Sequence, residues 1–455
     1  MAAMLEAREL NLTLDFCLRV GELLLSSGAG AADVTATMQA LSWQLGVRHP
    51  EVDVTFTSLS MSFQPDPELP SFVLIRQVKQ RDIDYEDLTL VDHLVRDVLR
   101  GEADLKDARG RLARIVSSGH TLPRWAATLG WGAMCAGVGL QLGGGWEVVS
   151  IAFVAAVCID RLQMVMARRR LPFFYLQVAG GGVATLIAVA VAATPADLDP
   201  SVVVTANIIM LLAGIGFMGA LQDALSGFYV TAGARLTEAL LATAGIIAGV
   251  GGGLQIGTVL GVDVGRLDPG AAADLKQASV AAIGAAICAA AFAFASYAPR
   301  RALATIGLVA AIAMLISQSA NVSGIGRSWP TAVAAFFVGL VSYGVAARLR
   351  VPPLVVVVPA VVPMLPGLSI YRGLSLLSEG GAATSEGLLA LFTAGSVALA
   401  LAAGVILGEY VAQPIQREAR KLESRLAGPR LVGPLRIKAR NRSETRLRRS
   451  SSSQA

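Results

Sequence analysis

The sequence predicts a polytopic α-helical membrane protein: about ten transmembrane helices as two inverted five-helix repeats, with an N-terminal cytoplasmic α+β domain. Three observations lead there. The chain is 54% hydrophobic and 16% charged, with a mean hydropathy of +0.60, which no ordinary soluble domain matches. Its charges gather in residues 1–120 and 412–455 and leave the middle almost bare. Through that middle run apolar stretches of about 18–25 residues, the length that crosses a hydrocarbon core.

The N-terminal part is read first. Residues 1–25, "MAAMLEARELNLTLDFCLRVGELLL", carry Glu6, Glu9, Asp15 and Glu22. A secretory signal needs a basic start and an unbroken apolar run, so this part is expected to stay in the cytoplasm. Leu12, Phe16, Val20, Leu23 and Leu24 recur at helical spacing, and Gly28 or Gly30 ends that helix. "ADVTATMQALSWQLG" is a second helix, closed at Gly46. Val52, Val54 and Phe56 then alternate with polar residues as a strand. Leu59, Met61 and Phe63 continue in the opposite phase, which requires a turn or bulge near Ser58. "SFVLIRQV" is a third strand, and two helices follow it. Ser26, Ser27, His49 and Asp53 form no recognisable catalytic arrangement, since no nucleophile elbow surrounds either serine. Cys17, Cys135, Cys158 and Cys288 lack metal-type spacing and read as small buried hydrophobes. His49, His93 and His120 all precede the apolar middle and read as surface or cap residues.

Ten spans are placed at 125–142, 146–166, 173–193, 201–221, 230–256, 278–297, 302–320, 329–347, 352–370 and 388–411. With the N-terminus inside, the inner connections include "ARRRLP", "YAPRR" and "ARLRV", and the outer ones "TPADLDP" and "TVLGVDVGRLDPGAAADLK". Arginines lie inside and acids outside, the positive-inside pattern. The tail holds 12 Lys or Arg against 3 Glu, and ten spans return it to the cytoplasm. Its basic run either touches anionic lipid or only anchors the topology.

"NIIMLLAGIGFMGALQDALSG" (207–227) and "PAVVPMLPGLSIYRGLSLLSEG" (359–380) follow one plan, and one long span comes after each. Two halves of five spans result. Because five is odd, the second half enters the membrane inverted, as in transporters. Pro359, Pro363, Pro366 and Gly367 interrupt the ninth span, and Leu211-Leu212-Ala213-Gly214 is the counterpart in the fourth. Proline removes a donor and clashes with the preceding turn, at about 3 kcal/mol. In lipid such a break is tolerated where it is buried in protein or lines a wet cavity, and there it presents helix ends and free carbonyls to a substrate. A zwitterionic amino acid suits such a place. The other reading is a kink that only aids packing.

"GELLLSSGAGAADVTATMQALSWQLG", "LLAGIGFMGALQDALSGFYVTAGARLTEALLATAGIIAGV" and "VVPMLPGLSIYRGL" resemble segments of the threonine/serine exporter (ThrE) family. The resemblance covers nearly the whole chain apart from the tail. It implies export of threonine and serine from the bacterial cytoplasm, driven by the proton motive force. One departure is Ala213-Gly214, where many relatives carry Pro-Gly.

Ionisable groups at membrane depth are costly and are read as functional. Glu238 is the first candidate for proton coupling and Asp223 the second. Arg235 lies three residues from Glu238 on one helical face, so the two can pair, as part of the coupling path or as a static bridge. The expected substrate pathway holds Asn207, Gly214, Pro363, Pro366, Gly367, Arg372 and Gln318, with Gln177 and Asn321 as further polar candidates. Arg372 either holds a substrate carboxylate or snorkels outward; the amides either bind substrate or pack helices. Asp160-Arg161 reads as an interface pair, and Glu409 similarly. No ATP-binding motif is present, so a gradient must supply the energy.

The expected domains are 1–120, cytoplasmic; 121–256 and 257–411, the two membrane repeats; and 412–455, a basic cytoplasmic tail. The expected place is the bacterial inner membrane, with both termini cytoplasmic. The expected partners are the bilayer, threonine or serine, protons and a second copy of the chain, with no nucleic acid, cofactor, metal or catalytic residue. The alternative is a membrane-anchored hydrolase or sensor acting through residues 1–120.

Overall fold

The computed structural model describes residues 2–66, 68, 70–79, 82–194, 199–211, 213–262, 275–319, 328–366, 369–370, 372–373, 376–377, 381 and 383–426. Residues 1–412 form one compact unit and 413–455 a second.

The N-terminal layer starts with α1 (Ala2–Ser26) and α2 (Ala31–Gln44). A three-stranded antiparallel sheet follows: β1 (Glu51–Thr55), β2 (Ser58–Phe63) and β3 (Phe72–Gln77), in that spatial order. The phase change near Ser58 is a tight hairpin, with Thr55 opposite Ser58 and Val54 opposite Leu59. α3 (Tyr85–Leu99) and α4 (Leu105–Ser118) complete the layer. Gly28 and Gly46 end α1 and α2 at φ +99° and +95°, a region open to glycine without a Cβ penalty. Asp84 caps α3 by accepting from the amides of Glu86 and Asp87, both at 3.0 Å. Leu14, Phe16, Met38, Leu41, Leu59, Met61 and Leu94 fill the core between helices and sheet. Burial pushes the Cys17 thiol up to about 12, so it stays protonated and inert.

The apolar middle is built of α5 (Arg124–Gln141), α6 (Trp146–Arg168), α7 (Phe173–Ala192), α8 (Pro200–Met210), α9 (Ala213–Leu225), α10 (Tyr229–Val259), α11 (Leu275–Ala295), α12 (Arg300–Ser319), α13 (Ser328–Leu349), α14 (Leu354–Val361) and α15 (Ala383–Leu426). Among the described residues seven helices are long and apolar enough to cross a membrane, and eight if α8 and α9, bent by 43° at their junction, count as one span. This is fewer than the ten expected. In the ninth stretch the described residues form the short helix α14 and a 3₁₀ turn, Val362–Met364, because Pro359 and Pro363 withhold ladder donors. The first, α5, has 18 residues and falls outside the set that passes on length and hydropathy. Cys158 departs from expectation too: it is exposed on α6, while the other three cysteines are buried.

Glycines bring the helices into contact. α5 and α11 run antiparallel, with Gly130 against Ala295, Gly137 against Cys288 and Gln141 against Gly284. α7 and α10 run parallel, with Gly245 on Phe174, Gly249 on Val178 and Gly253 on Thr185. α13 and α15 do the same, with Gly404 on Ala332 and Gly408 on Phe336. With no apolar driving force between helices in lipid, such small-residue seams carry the packing. Three helix–helix turns share one pattern the sequence reading passed over. Arg170, Tyr297 and Arg350 each take φ near +60°, and a proline follows two residues later (Pro172, Pro299, Pro352). Their helix ends are closed by backbone bonds such as Ala298 N to Ala293 O at 2.8 Å.

The layer is bonded to this bundle. The Tyr85 amide donates to Ser296 O at 2.9 Å, and its ring meets Phe292 edge-on. His93 hydrogen-bonds Arg350 O at 2.9 Å, and His120 stacks on Tyr297 at 4.0 Å beside Asp84. His120 is exposed and His93 half-buried, so the two histidines keep their surface character while touching the bundle's turns.

Two outcomes follow from this packing. A Cβ at Gly249 overlaps the Val178 carbonyl oxygen, whereas one at Gly252 meets nothing within 4 Å. Gly249→Ala should abolish a monodisperse, thermally stable fraction. Gly252→Ala should match or exceed the parent by up to about 1 kcal/mol, the helix propensity difference. Separately, burial, and secondarily Asp84, raises Asp87 to about 6. The folded state then binds more protons than the unfolded one between roughly pH 4 and 6, so this group's contribution falls as pH rises through that window. Asp87→Asn should raise the melting temperature at pH 7 and flatten its decline from pH 4.5 to 6.5.

Candidate functional site: two interrupted spans and a buried ion pair

The two interruptions foreseen in the sequence lie at the α8–α9 junction and after α14. Beyond α14, Leu365 N turns back to Val362 O at 3.1 Å, closing the 3₁₀ turn. Pro366 has no N–H, so the helical ladder cannot continue through it. The carbonyl of Pro363 instead accepts from Gln141 Nε2 at 2.8 Å. A carbonyl only accepts, so this bond fixes the amide's orientation. Gln141 Oε1 is then left buried without a donor among the described residues. α11 extends nine residues past the level of Gln141, about 13 Å at helical rise, so this contact lies well inside the bundle.

Two more amides are buried with an acceptor unused. Asn207 on α8 is fully buried, and Nδ2 donates to Val203 O at 2.8 Å while Oδ1 has no partner among the described residues. Gln177 on α7 is buried with Oε1 unpaired. An unpaired buried acceptor costs about 1–3 kcal/mol, which a substrate ammonium or hydroxyl would relieve.

The remaining expected pathway residues are spread out. Pro363 and Pro366 are buried at the second break. Gly214 opens α9. Gln318 is half-buried near the end of α12, and Arg372 is exposed. Gly367 and Asn321 lie outside the described residues. Gln141 was not anticipated. Its only sequence signal is a polar residue at the end of an apolar stretch, and its role needs a carbonyl 222 residues away.

The ionisable candidates are rearranged. Arg235 does not take Glu238 as its buried partner. Its Nη1 lies 2.9 Å from Asp223 Oδ2, with both side chains almost fully buried, while Glu238 is on the exposed side of α10. Antiparallel packing of α9 on α10, with Gly219 against Arg235 and Gly216 against Ala239, brings the pair together. Asp160 likewise pairs not with Arg161 but with Arg124 at 2.8 Å and the Thr128 hydroxyl at 2.7 Å.

Both members of the buried pair reach into the N-terminal layer. Asp223 Oδ1 accepts from the Ala31 amide at 3.0 Å, and Arg235 Nη2 donates to Ala29 O at 3.1 Å. Ala31 is the first residue of α2, and its N-cap, Gly30, has no side chain to cap with. Asp223 supplies the missing cap, and the positive end of α2 favours its charge. The Thr231 hydroxyl adds a bond to Val54 O at 3.1 Å. Asp33, in the first turn of α2, keeps water-accessible surface yet is raised in pKa by surrounding protein and then by Asp223. It also repels Glu409 of α15. Asp33 is thus within electrostatic range of both Asp223 and Glu409.

Ser26, weighed as a nucleophile, spends its hydroxyl on Leu23 O at 3.0 Å. Among the described residues no group of three His, Cys, Asp or Glu is placed to hold a metal ion.

Removing one partner of a buried pair strands the other charge, at about 3–5 kcal/mol. Asp223→Ala and Arg235→Ala should each lower the melting temperature strongly. The double variant should lose less than the sum, the mark of direct coupling in a double-mutant cycle.

Known proteins are similar to this chain in sequence. The threonine/serine exporter family models match this chain twice, ThrE over residues 15–257 and ThrE_2 over residues 281–411. The "Probable threonine/serine exporter" of Mycobacterium tuberculosis is 35% identical over 91% of this chain and 80% of its own length. The "Threonine/serine exporter" of Corynebacterium glutamicum is 34% identical over 88% and 83%. The "Probable succinate transporter subunit YjjP" of Escherichia coli is 24% identical over 51% of this chain and 90% of its own length. No solved structure matches. A repeatedly membrane-crossing chain of this composition, matched by both models and by relatives along most of its length, is a transporter rather than an enzyme and belongs to the threonine/serine exporter (ThrE) family.

Proposed function

We propose that this chain is a secondary active exporter of threonine and serine, driven by the proton motive force and working by alternating access between two inverted halves. The observation that carries this reading is the pair of interrupted apolar helices, α8–α9 and α14 with its 3₁₀ turn, each flanked by buried amides with unused acceptors. Helix ends and freed carbonyls at such breaks suit a zwitterion: the ends take the carboxylate, the carbonyls and amide oxygens the ammonium.

Packing supports the inverted halves. The first helix of each half, α5 and α11, meets the other antiparallel, as a two-fold axis in the membrane plane requires. In each half the third helix packs parallel on the last, α7 on α10 and α13 on α15, through glycines. A relative only about half this chain's length, named a transporter subunit, is consistent with one half being a unit in its own right. In this reading α5, α14 and the bent α8–α9 complete ten spans. Residues 1–120 are a cytoplasmic domain, 121–256 and 257–411 the halves, and 412–455 a cytoplasmic tail. The chain sits in a bacterial inner membrane with both ends inside.

Among the coupling candidates, Asp223 with Arg235 now stands ahead of Glu238, because that pair is buried and touches both the interrupted span and the N-terminal layer.

The test is threonine and serine flux in proteoliposomes, with and without an imposed proton gradient and with succinate in parallel. Gradient-dependent flux of the hydroxy amino acids is expected, lost in Asp223→Asn and retained in Glu238→Gln. Gln141→Leu should lower flux by about tenfold, one lost hydrogen bond at the break. Flux of succinate alone would overturn the substrate assignment.

A further inference from the structure

The N-terminal layer straddles the bundle. One end is attached to the α11–α12 and α13–α14 turns, through Tyr85 on Ser296, His120 on Tyr297 and His93 on Arg350. The other is attached to α9 and α10, through Ala31 on Asp223, Ala29 on Arg235 and Val54 on Thr231. A tie across both halves resists any motion of one against the other. If the halves rock, one end must let go.

The two ends differ in chemistry. The first combines backbone bonds with stacked and edge-on rings. The second is held by charge. A methyl group built on Gly30 lies 3.6 Å from Asp223 Oδ1 and 3.9 Å from Asp33 Oδ2, so two carboxylates converge over that glycine. Arg235 is bonded to Asp223, while Glu238 sits on the exposed side of α10. The positive end of α2 adds to the hold on Asp223. A cation arriving here, a proton or a substrate ammonium, competes for Asp223 against the Ala31 amide.

We infer that the Ser27–Ala31 turn is the releasable end of this tie, and that Gly30 and Ala31 are positioning residues that hold α9, half of the interrupted span, in one of its two positions. The inference rests on the alternating-access reading, and its test separates the two. Ala31→Pro removes one N–H and little else. Proline fits the first helical position, and Gly30 at φ −69°, ψ 152° already has the extended backbone that precedes proline. Hydrogen–deuterium exchange on the full-length protein in nanodiscs reads the result. In Ala31→Pro, exchange should rise roughly ten- to hundredfold in residues 27–35 and 215–228, as for one lost hydrogen bond to a charged group, and stay level around Tyr85 and Ser296. Ala31→Gly, which keeps the donor, should match the parent. Asp223→Asn, which keeps an acceptor but loses the charge, should loosen the same two segments. In flux assays Ala31→Pro should raise kcat with KM unchanged, because release becomes easier while the binding groups stay in place. Unchanged exchange in both Ala31→Pro and Asp223→Asn overturns the latch even where threonine flux is intact. Absent threonine and serine flux in the parent overturns the exporter reading, and the exchange data still decide the latch.

Discussion

Asp223 is held by the Arg235 guanidinium, the Ala31 amide and the positive end of α2 together. A carboxylate taken out of water needs each of them, because the desolvation cost is repaid only when geometry and hydrogen bonds are both complete. The constraint propagates. Arg235 must lie under Gly219, α9 must pack antiparallel on α10, and the α1–α2 turn must be narrow enough at Gly30 to admit the carboxylate. The bend between α8 and α9 releases α9 from the axis of α8 and lets it meet α10 and the layer together.

The same economy of backbone partners governs the second interruption. Three prolines between positions 359 and 366 deny the chain its ladder, and the structure answers with a 3₁₀ turn and one borrowed side chain. Gln141 comes from α5. The glycine seam between α5 and α11 brings it there, since Gly137 and Gly284 let the two backbones approach as no larger residue would. The break is therefore set by the packing of α5 on α11 as much as by the prolines inside it.

The N-terminal layer is not a separate body beside the bundle. Its polar caps, aromatic rings and one turn are shared with the bundle's own connections. Chemistry usually lies on loops held by rigid elements, and here the Ala29–Ala31 turn is fixed at one side by α1 and α2 and at the other by a charge pair.

By itself the sequence determined what depends on local order and composition. The helices and the three strands follow from periodicity, the hairpin from the phase change at Ser58, the helix ends from Gly28 and Gly46, and the interruption from Pro359, Pro363 and Pro366. The family, too, was legible in short motifs such as "VVPMLPGLSIYRGL". Tertiary structure alone decided the pairings. Spacing along one helix favoured Arg235 with Glu238, because residues three apart share a face. That rule says nothing of a carboxylate arriving on another helix, and burial then chose Asp223. Asp160 took Arg124 over its neighbour Arg161 for the same reason. The number of long spans fell short of ten because hydropathy counts apolar residues, whereas prolines and helix ends decide whether those residues form one rod. Gln141 and Ala31 were invisible beforehand, since their bonds reach 222 and 192 residues along the chain and no local pattern encodes such a contact.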